Sequence, residues 1–112
     1  MKGFLMFKIY IDTSDRKIKK VLLMNDANEK IIDSVEGDFD PVPTILQLLE
    51  KHNITPAEIS LFEPFLGPGS FTGLKNGIAI CNVLNWALGK KNINDLFVPN
   101  YGSEPNIQPP TN

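Results

Sequence analysis

The sequence predicts a single α/β domain built on one mixed sheet, with elements in the order β-β-β-α-β-α and a possible short last strand. Three observations predict it. Short β-prone runs follow one another across tight turns in the first third of the chain. Two segments with apolar residues at helical spacing come later, one on each side of a fourth apolar run. And 112 residues at 42% hydrophobic supply one small core, not two.

The elements follow in order. Phe4 to Asp12 ("FLMFKIYID") is mostly apolar on both faces, so it predicts a central strand. "TSDR" is a turn, Lys17 to Met24 a second strand, the Asn- and Asp-rich "NDAN" another turn, and Glu29 to Val35 a third strand. Turns this short join antiparallel neighbours. "GDFDPVP" then breaks the chain. Asp40 is placed to cap a helix with prolines in its first turn, Ile45, Leu46, Leu48 and Leu49 have helical spacing, and Asn53 is the expected stop. "TPAE" (Thr55 to Glu58) has the form of a capping box and predicts one helical turn. Ile59 to Leu66 is the fourth strand, where Pro64 favours an edge or the strand's last residues. The longest helical pattern runs from Thr72 to Leu88, with Gly89 as its stop. "LFVP" (Leu96 to Pro99) is the candidate for a short fifth strand. The domain is thus expected over residues 1–98, with 99–112 a polar, Pro-rich, disordered tail.

Composition narrows the function. A net charge of −2 gives no field that gathers nucleic acid or anionic lipid, and the lysine clusters at 17–20 and 90–91 suit solvated element ends better than an RNA groove. Cys81 is the only cysteine, so no internal disulfide forms and a cytoplasmic setting is expected. No apolar run approaches the roughly 20 residues of a membrane span.

Two motifs could carry chemistry. "LGPGSFTGLK" (Leu66 to Lys75) lies between a strand and a helix, where backbone N–H groups and a positive helix end can cradle an anion. Its glycines fit neither the P-loop nor the dinucleotide spacing, so a tight structural turn competes with the anion site. "IDTS" (Ile11 to Ser14) can hold a metal-bound phosphate, or it can simply turn the chain. The candidate ligand-binding residues are therefore Asp12, Thr13, Ser14, Gly67, Gly69 and Ser70. His52, the only histidine, suits a surface place near a helix C-terminus, and nothing in the inventory suggests a zinc site, a partnered nucleophile or a protease. The long helix is apolar beyond one face. Leu74, Ile78, Cys81, Leu84 and Leu88 make one stripe, and Ile80, Val83, Trp86 and Ala87 spread onto its neighbours. The surplus either packs inside or meets a partner, with Trp86 as an anchor.

"GPGSFTGLK" (Gly67 to Lys75) closely resembles the GPGSFTGLR signature of the TsaB (YeaZ) family, and "IYIDTS" (Ile9 to Ser14) resembles that family's first strand and turn, at the expected distance upstream. The resemblance spans roughly residues 5 to 100. It implies one half of the two-halved, actin-like and ribonuclease H-like (ASKHA) fold. It also implies a non-catalytic role without a cofactor. TsaB-like proteins pair with a homologous catalytic subunit, TsaD, in threonylcarbamoylation of adenosine 37 of tRNA, and a small ATPase, TsaE, joins them. In this fold nucleotide lies between the two halves, so a first half alone offers one wall of that cleft, and the glycine turn is then chiefly a structural joint. The expected interface, with a TsaD-like subunit or in a homodimer, comprises Leu74, Gly77, Ile78, Cys81, Leu84, Asn85, Trp86 and Leu88 with Ile45 and Leu49. The alternative is a phosphate- or nucleotide-binding fragment of an actin-like enzyme. Lys75 stands where the family has arginine, and Asn76 and Asn82 put polar groups on the long helix.

Overall fold

In a computed structural model, residues 6–92 and 95–98 are described. The tail from residue 99 lies outside them, as does Pro99 of the candidate fifth strand. Three strands come first: β1 (Phe7–Asp12), β2 (Lys19–Asn25) and β3 (Ile31–Gly37). Helix α1 (Pro41–Lys51), a single 3₁₀ turn (Pro56–Glu58), β4 (Ile59–Pro64) and α2 (Phe71–Ala87) follow. The sheet order is β3-β2-β1-β4. β1 runs antiparallel to β2 and parallel to β4, so the sheet is mixed and β1 central, as the pattern predicts.

The strand boundaries move for local reasons. The Asp15 carboxylate accepts from the N–H groups of Lys17 and Ile18 at 2.9 and 3.2 Å. Those two amides are spent in the turn, so β2 starts at Lys19 rather than Lys17. After β2 the Asn25 side chain accepts from Ala27 N–H, the Asn28 side chain from Lys30 N–H, and Glu29 takes φ +60°. That longer turn delays β3 to Ile31.

Alternation along the strands puts Ile9 and Ile11 of β1 and Val21 and Leu23 of β2 on one face, opposite Ile45, Leu48 and Leu49 of α1 and Cys81 of α2. Ile59 and Phe62 bring β4 into the same core. Each large apolar side chain buried in this way contributes about 1.5–3 kcal/mol. The other face of β1 is not purely apolar. Lys8 is buried there, its ammonium 3.2 Å from both Glu29 and Glu63. Burial opposes that charge, but the two carboxylates outweigh it and hold the Lys8 pKa above the ordinary lysine value.

The helix ends follow the sequence signals, with one exception. Asp40 is the N-cap of α1, but its side chain makes no capping bond. Pro41 and Pro43 have removed two first-turn donors, and Thr44 N–H uses the Asp40 main-chain carbonyl instead. At the other end Asn53 adopts φ +55°, and Ile54 N–H returns to the Leu49 carbonyl at 2.8 Å. Gly89 (φ +73°) ends α2 in the same way: Lys90 N–H donates to Asn85 O at 2.6 Å and Gly89 N–H to Trp86 O at 3.1 Å. In the 3₁₀ turn the Glu58 carboxylate accepts from Thr55 N–H at 2.8 Å. Pro64 is the last residue of β4. Leu96–Val98 join no strand. Instead the Asn82 carboxamide holds the main chain of Phe97, accepting from its N–H at 2.8 Å and donating to its carbonyl at 3.1 Å.

Candidate docking face and the glycine joint

The end of β1 and the start of α2 meet at one end of the sheet. Phe65 N–H donates to the Ile11 carbonyl at 2.7 Å, which holds the exit of β4 beside the exit of β1. Thr13 is buried, and its hydroxyl enters α2: it donates to the Gly73 carbonyl and accepts from Gly77 N–H, both at 2.9 Å. These are the two groups that an α-helix would join directly. The approach is possible because both residues lack a side chain. A Cβ on Gly73 would lie 2.6 Å from the Ser14 carbonyl, and one on Gly77 would lie 2.8 Å from Thr13 Oγ1.

The six candidate ligand residues are therefore gathered in one place, and the side chains of Asp12, Thr13 and Ser70 each make local hydrogen bonds there. The Thr13 hydroxyl spends its one donor and one acceptor position on α2. Asp12 Oδ1 accepts from the N–H and the hydroxyl of Ser14 at 2.9 and 2.6 Å. Ser70 caps α2, its Oγ accepting from Gly73 N–H at 3.0 Å. Gly67 (φ +110°) and Gly69 shape the turn between β4 and α2. What the arrangement does chemically is fasten α2 to the sheet at a set angle. Among the described residues, no three His, Cys, Asp or Glu side chains are grouped to hold a metal ion.

The outer side of the helical layer is different. Val42 and Leu46 of α1 and Val83, Trp86 and Leu88 of α2 stay exposed, with Leu46 and Trp86 at 58% and Val83 at 61%. Between the helices runs an apolar cleft of about 270 Å³ lined by Val42, Ala79, Ile80, Val83 and Leu84. It adjoins a narrower recess against Leu46, Leu49, Pro56 and Leu88. Leaving large apolar side chains side by side in water forfeits the roughly 25 cal/mol per Å² that covering them would return.

Burial divides the residue set expected for an interface. Ile45, Leu49, Leu74, Ile78 and Cys81 are buried by the chain itself, and burial drives the Cys81 thiol pKa well upward. Gly77 is buried against Thr13. A charged side chain at Gly77 or Cys81 would break the fold before it reached any partner. Asn85 is also fully buried: its Nδ2 donates to the Phe62 carbonyl at 2.7 Å and its Oδ1 accepts from Phe62 N–H at 2.9 Å. Its carboxamide thus satisfies main-chain groups of β4, an edge strand of the sheet among the described residues, in place of a neighbouring strand. Of the ten residues, Leu84 keeps part of its surface, and Trp86 and Leu88 are exposed. Val42, Leu46 and Val83, absent from the expected set, belong to the outer face. Helical spacing was the only signal that could have found them.

No protein-family model matches the sequence, nor does any curated protein. Solved structures do. One is YeaZ from Pseudomonas aeruginosa, with a TM-score of 0.62 at 21% identity over 76% of this chain. Another is described as an uncharacterized protein with similarity to peptidase YEAZ from Pseudomonas aeruginosa, with the same TM-score, identity and coverage. The chain has the YeaZ fold. It spans 41% of the first structure's length and 40% of the second's, so it matches part of the YeaZ architecture. The α/β half-domain with a mixed sheet expected from the sequence matches that part of the YeaZ fold, and in it the glycine turn is the joint that sets α2 on the sheet. Among the described residues no helix is long and apolar enough to cross a membrane.

Proposed function

We propose that this chain is a non-catalytic assembly subunit of the tRNA threonylcarbamoyladenosine machinery. It docks through the outer face of α1 and α2 onto a homologous, TsaD-like catalytic subunit, with a TsaE-like ATPase joining the pair. The observation that carries the reading is the exposed apolar strip of Leu46, Val83 and Trp86 beside the α1–α2 cleft, on a chain with the YeaZ fold. Soluble domains seldom leave such a strip uncovered without a partner. The engaged polar groups of Asp12, Thr13 and Ser70 favour assembly over nucleotide chemistry.

The test mixes the purified chain with the TsaD-like subunit of the same organism and measures pairing by calorimetry and light scattering. Leu46→Glu and Val83→Glu each weaken pairing by about tenfold or more, since central apolar anchors carry about 2 kcal/mol or more. Both side chains already face water, so thermal unfolding of the free chain hardly changes. Pairing at full strength in both variants overturns the assignment of the face. Self-association lost in the same variants, with no binding of the TsaD-like subunit, would make the face that of a homodimer. Heat released on titration with ATP and magnesium would favour the nucleotide-binding alternative.

A further inference from the structure

The joint between β1 and α2 carries a chemical liability of its own. Asn76 is the only asparagine in the chain that glycine follows. Its side chain is exposed on α2, whereas Gly77 is buried. The packing demands glycine at 77, because a Cβ there would lie 2.8 Å from Thr13 Oγ1. The missing side chain that admits Thr13 also leaves the Gly77 main-chain nitrogen unhindered towards the Asn76 carboxamide. Two things restrain that nitrogen. The helical backbone of α2 keeps it turned from the preceding side chain, and its N–H donates to Thr13 Oγ1 at 2.9 Å. The second restraint is tertiary: Thr13 stands 64 residues away in the chain, so the bond is lost as soon as α2 lifts from β1.

We propose that Asn76–Gly77 is a site of spontaneous deamidation, and that the Thr13 hydroxyl is the latch that keeps it closed. The reaction goes through a local opening of α2 at the joint, not through unfolding of the whole domain. In the opened state the Gly77 nitrogen, its proton lost to water, attacks Asn76 Cγ. The new C–N bond closes a five-membered succinimide, the Cγ–Nδ2 bond breaks, and ammonia leaves. Water then opens the ring at either carbonyl, which yields aspartate or isoaspartate at position 76. Both products put a carboxylate on α2 in the cleft that Asn76 shares with Asp38 and Asp40. Isoaspartate also adds a methylene to the main chain just before Gly77. The Gly73 carbonyl and the Gly77 N–H then no longer face Thr13 together, so the joint cannot re-form as it was. This inference is independent of the docking reading.

The test incubates the full chain at neutral to mildly alkaline pH and follows aspartate and isoaspartate at each asparagine by peptide mapping with mass spectrometry. Thr13→Ala speeds conversion of Asn76 about tenfold, because the two hydrogen bonds of the latch are gone. Thr13→Ser, which keeps the hydroxyl, leaves the rate close to that of the unaltered chain. Asn25, which Asp26 follows and whose Oδ1 accepts from Ala27 N–H, is the internal control and does not accelerate. An unchanged Asn76 rate in Thr13→Ala overturns the inference. So does equal acceleration at Asn25, since the reaction would then require unfolding of the whole domain. If Thr13→Ala does not fold, hydrogen exchange of the unaltered chain decides. Gly77 N–H must exchange faster than the N–H groups of β1, and equal protection of the two overturns the local opening.

Discussion

Gly77 distinguishes a joint from an interface. In a helix interior, alanine is favoured over glycine by about 1 kcal/mol, so on local grounds Gly77→Ala should stabilise α2. The structure predicts the opposite. The new Cβ would sit 2.8 Å from Thr13 Oγ1, inside contact distance of a buried hydroxyl held by two 2.9 Å hydrogen bonds. Relieving the clash means breaking those bonds, at about 1 kcal/mol each, or shifting α2 off the sheet, at about 1–3 kcal/mol. The net loss is about 1–2 kcal/mol after the helix gain. In a Thr13→Ala background the hydroxyl is gone, and the nearest remaining atom outside Thr13 is Ile11 Cγ2 at 3.6 Å, an ordinary contact. There Gly77→Ala is neutral or stabilises by up to about 1 kcal/mol. Urea unfolding of the four proteins in this cycle reads a coupling of about 2 kcal/mol. Equal effects of Gly77→Ala in the two backgrounds would refute the joint. A loss of pairing without loss of stability would return Gly77 to the interface.

Other predictions address different bonds. Asn85→Ala leaves the N–H and C=O of Phe62 without the carboxamide, which costs about 2–4 kcal/mol in urea unfolding, and a change below about 0.5 kcal/mol would mean that the pair adds nothing. Asp33 of β3 accepts from His52 Nε2 at 2.8 Å and from Lys51 Nζ at 2.9 Å, tying the sheet edge to the end of α1. The hydrogen bond from His52, then those from Lys51 and from Ser34 N–H, hold its carboxyl pKa well below the ordinary 3.8. Its stabilising contribution is thus fully present above that ordinary value and is lost as pH falls towards the lowered native one. Asp33→Asn should melt below the unaltered chain at neutral pH, and the two should converge under acid. A gap independent of pH would show that the ionised carboxylate is not what matters.

Much of the fold was legible because it is written in local patterns. Apolar runs in "FLMFKIYID" and "KIKKVLLM" mark strands, Gly89 marks the end of α2 and Asn53 that of α1, the two helix ends through bonds within a few residues. Asp40 shows where a local signal fails: its type predicts a side-chain cap, but Pro43 removes one of the two donors it could serve and the side chain makes no capping bond. The motif "GPGSFTGLK" located the joint without revealing its partner, because Thr13 is 60 residues from Gly73 in the chain. Asn85 was misplaced for a similar reason. A polar residue on a greasy helix looks like surface until the main-chain groups of Phe62 lie beside it.

By itself the sequence determined the order of elements, the helix stops at Asn53 and Gly89, and the YeaZ-like signature, since these depend on neighbours along the chain. Which side of α2 faces inward was decided only by tertiary structure. That helix carries apolar residues nearly all round, so its periodicity has no strong direction. The direction comes from Thr13 entering between Gly73 and Gly77 and from Asn85 gripping β4, which together turn Leu74 and Cys81 into the core and leave Val83 and Trp86 outside.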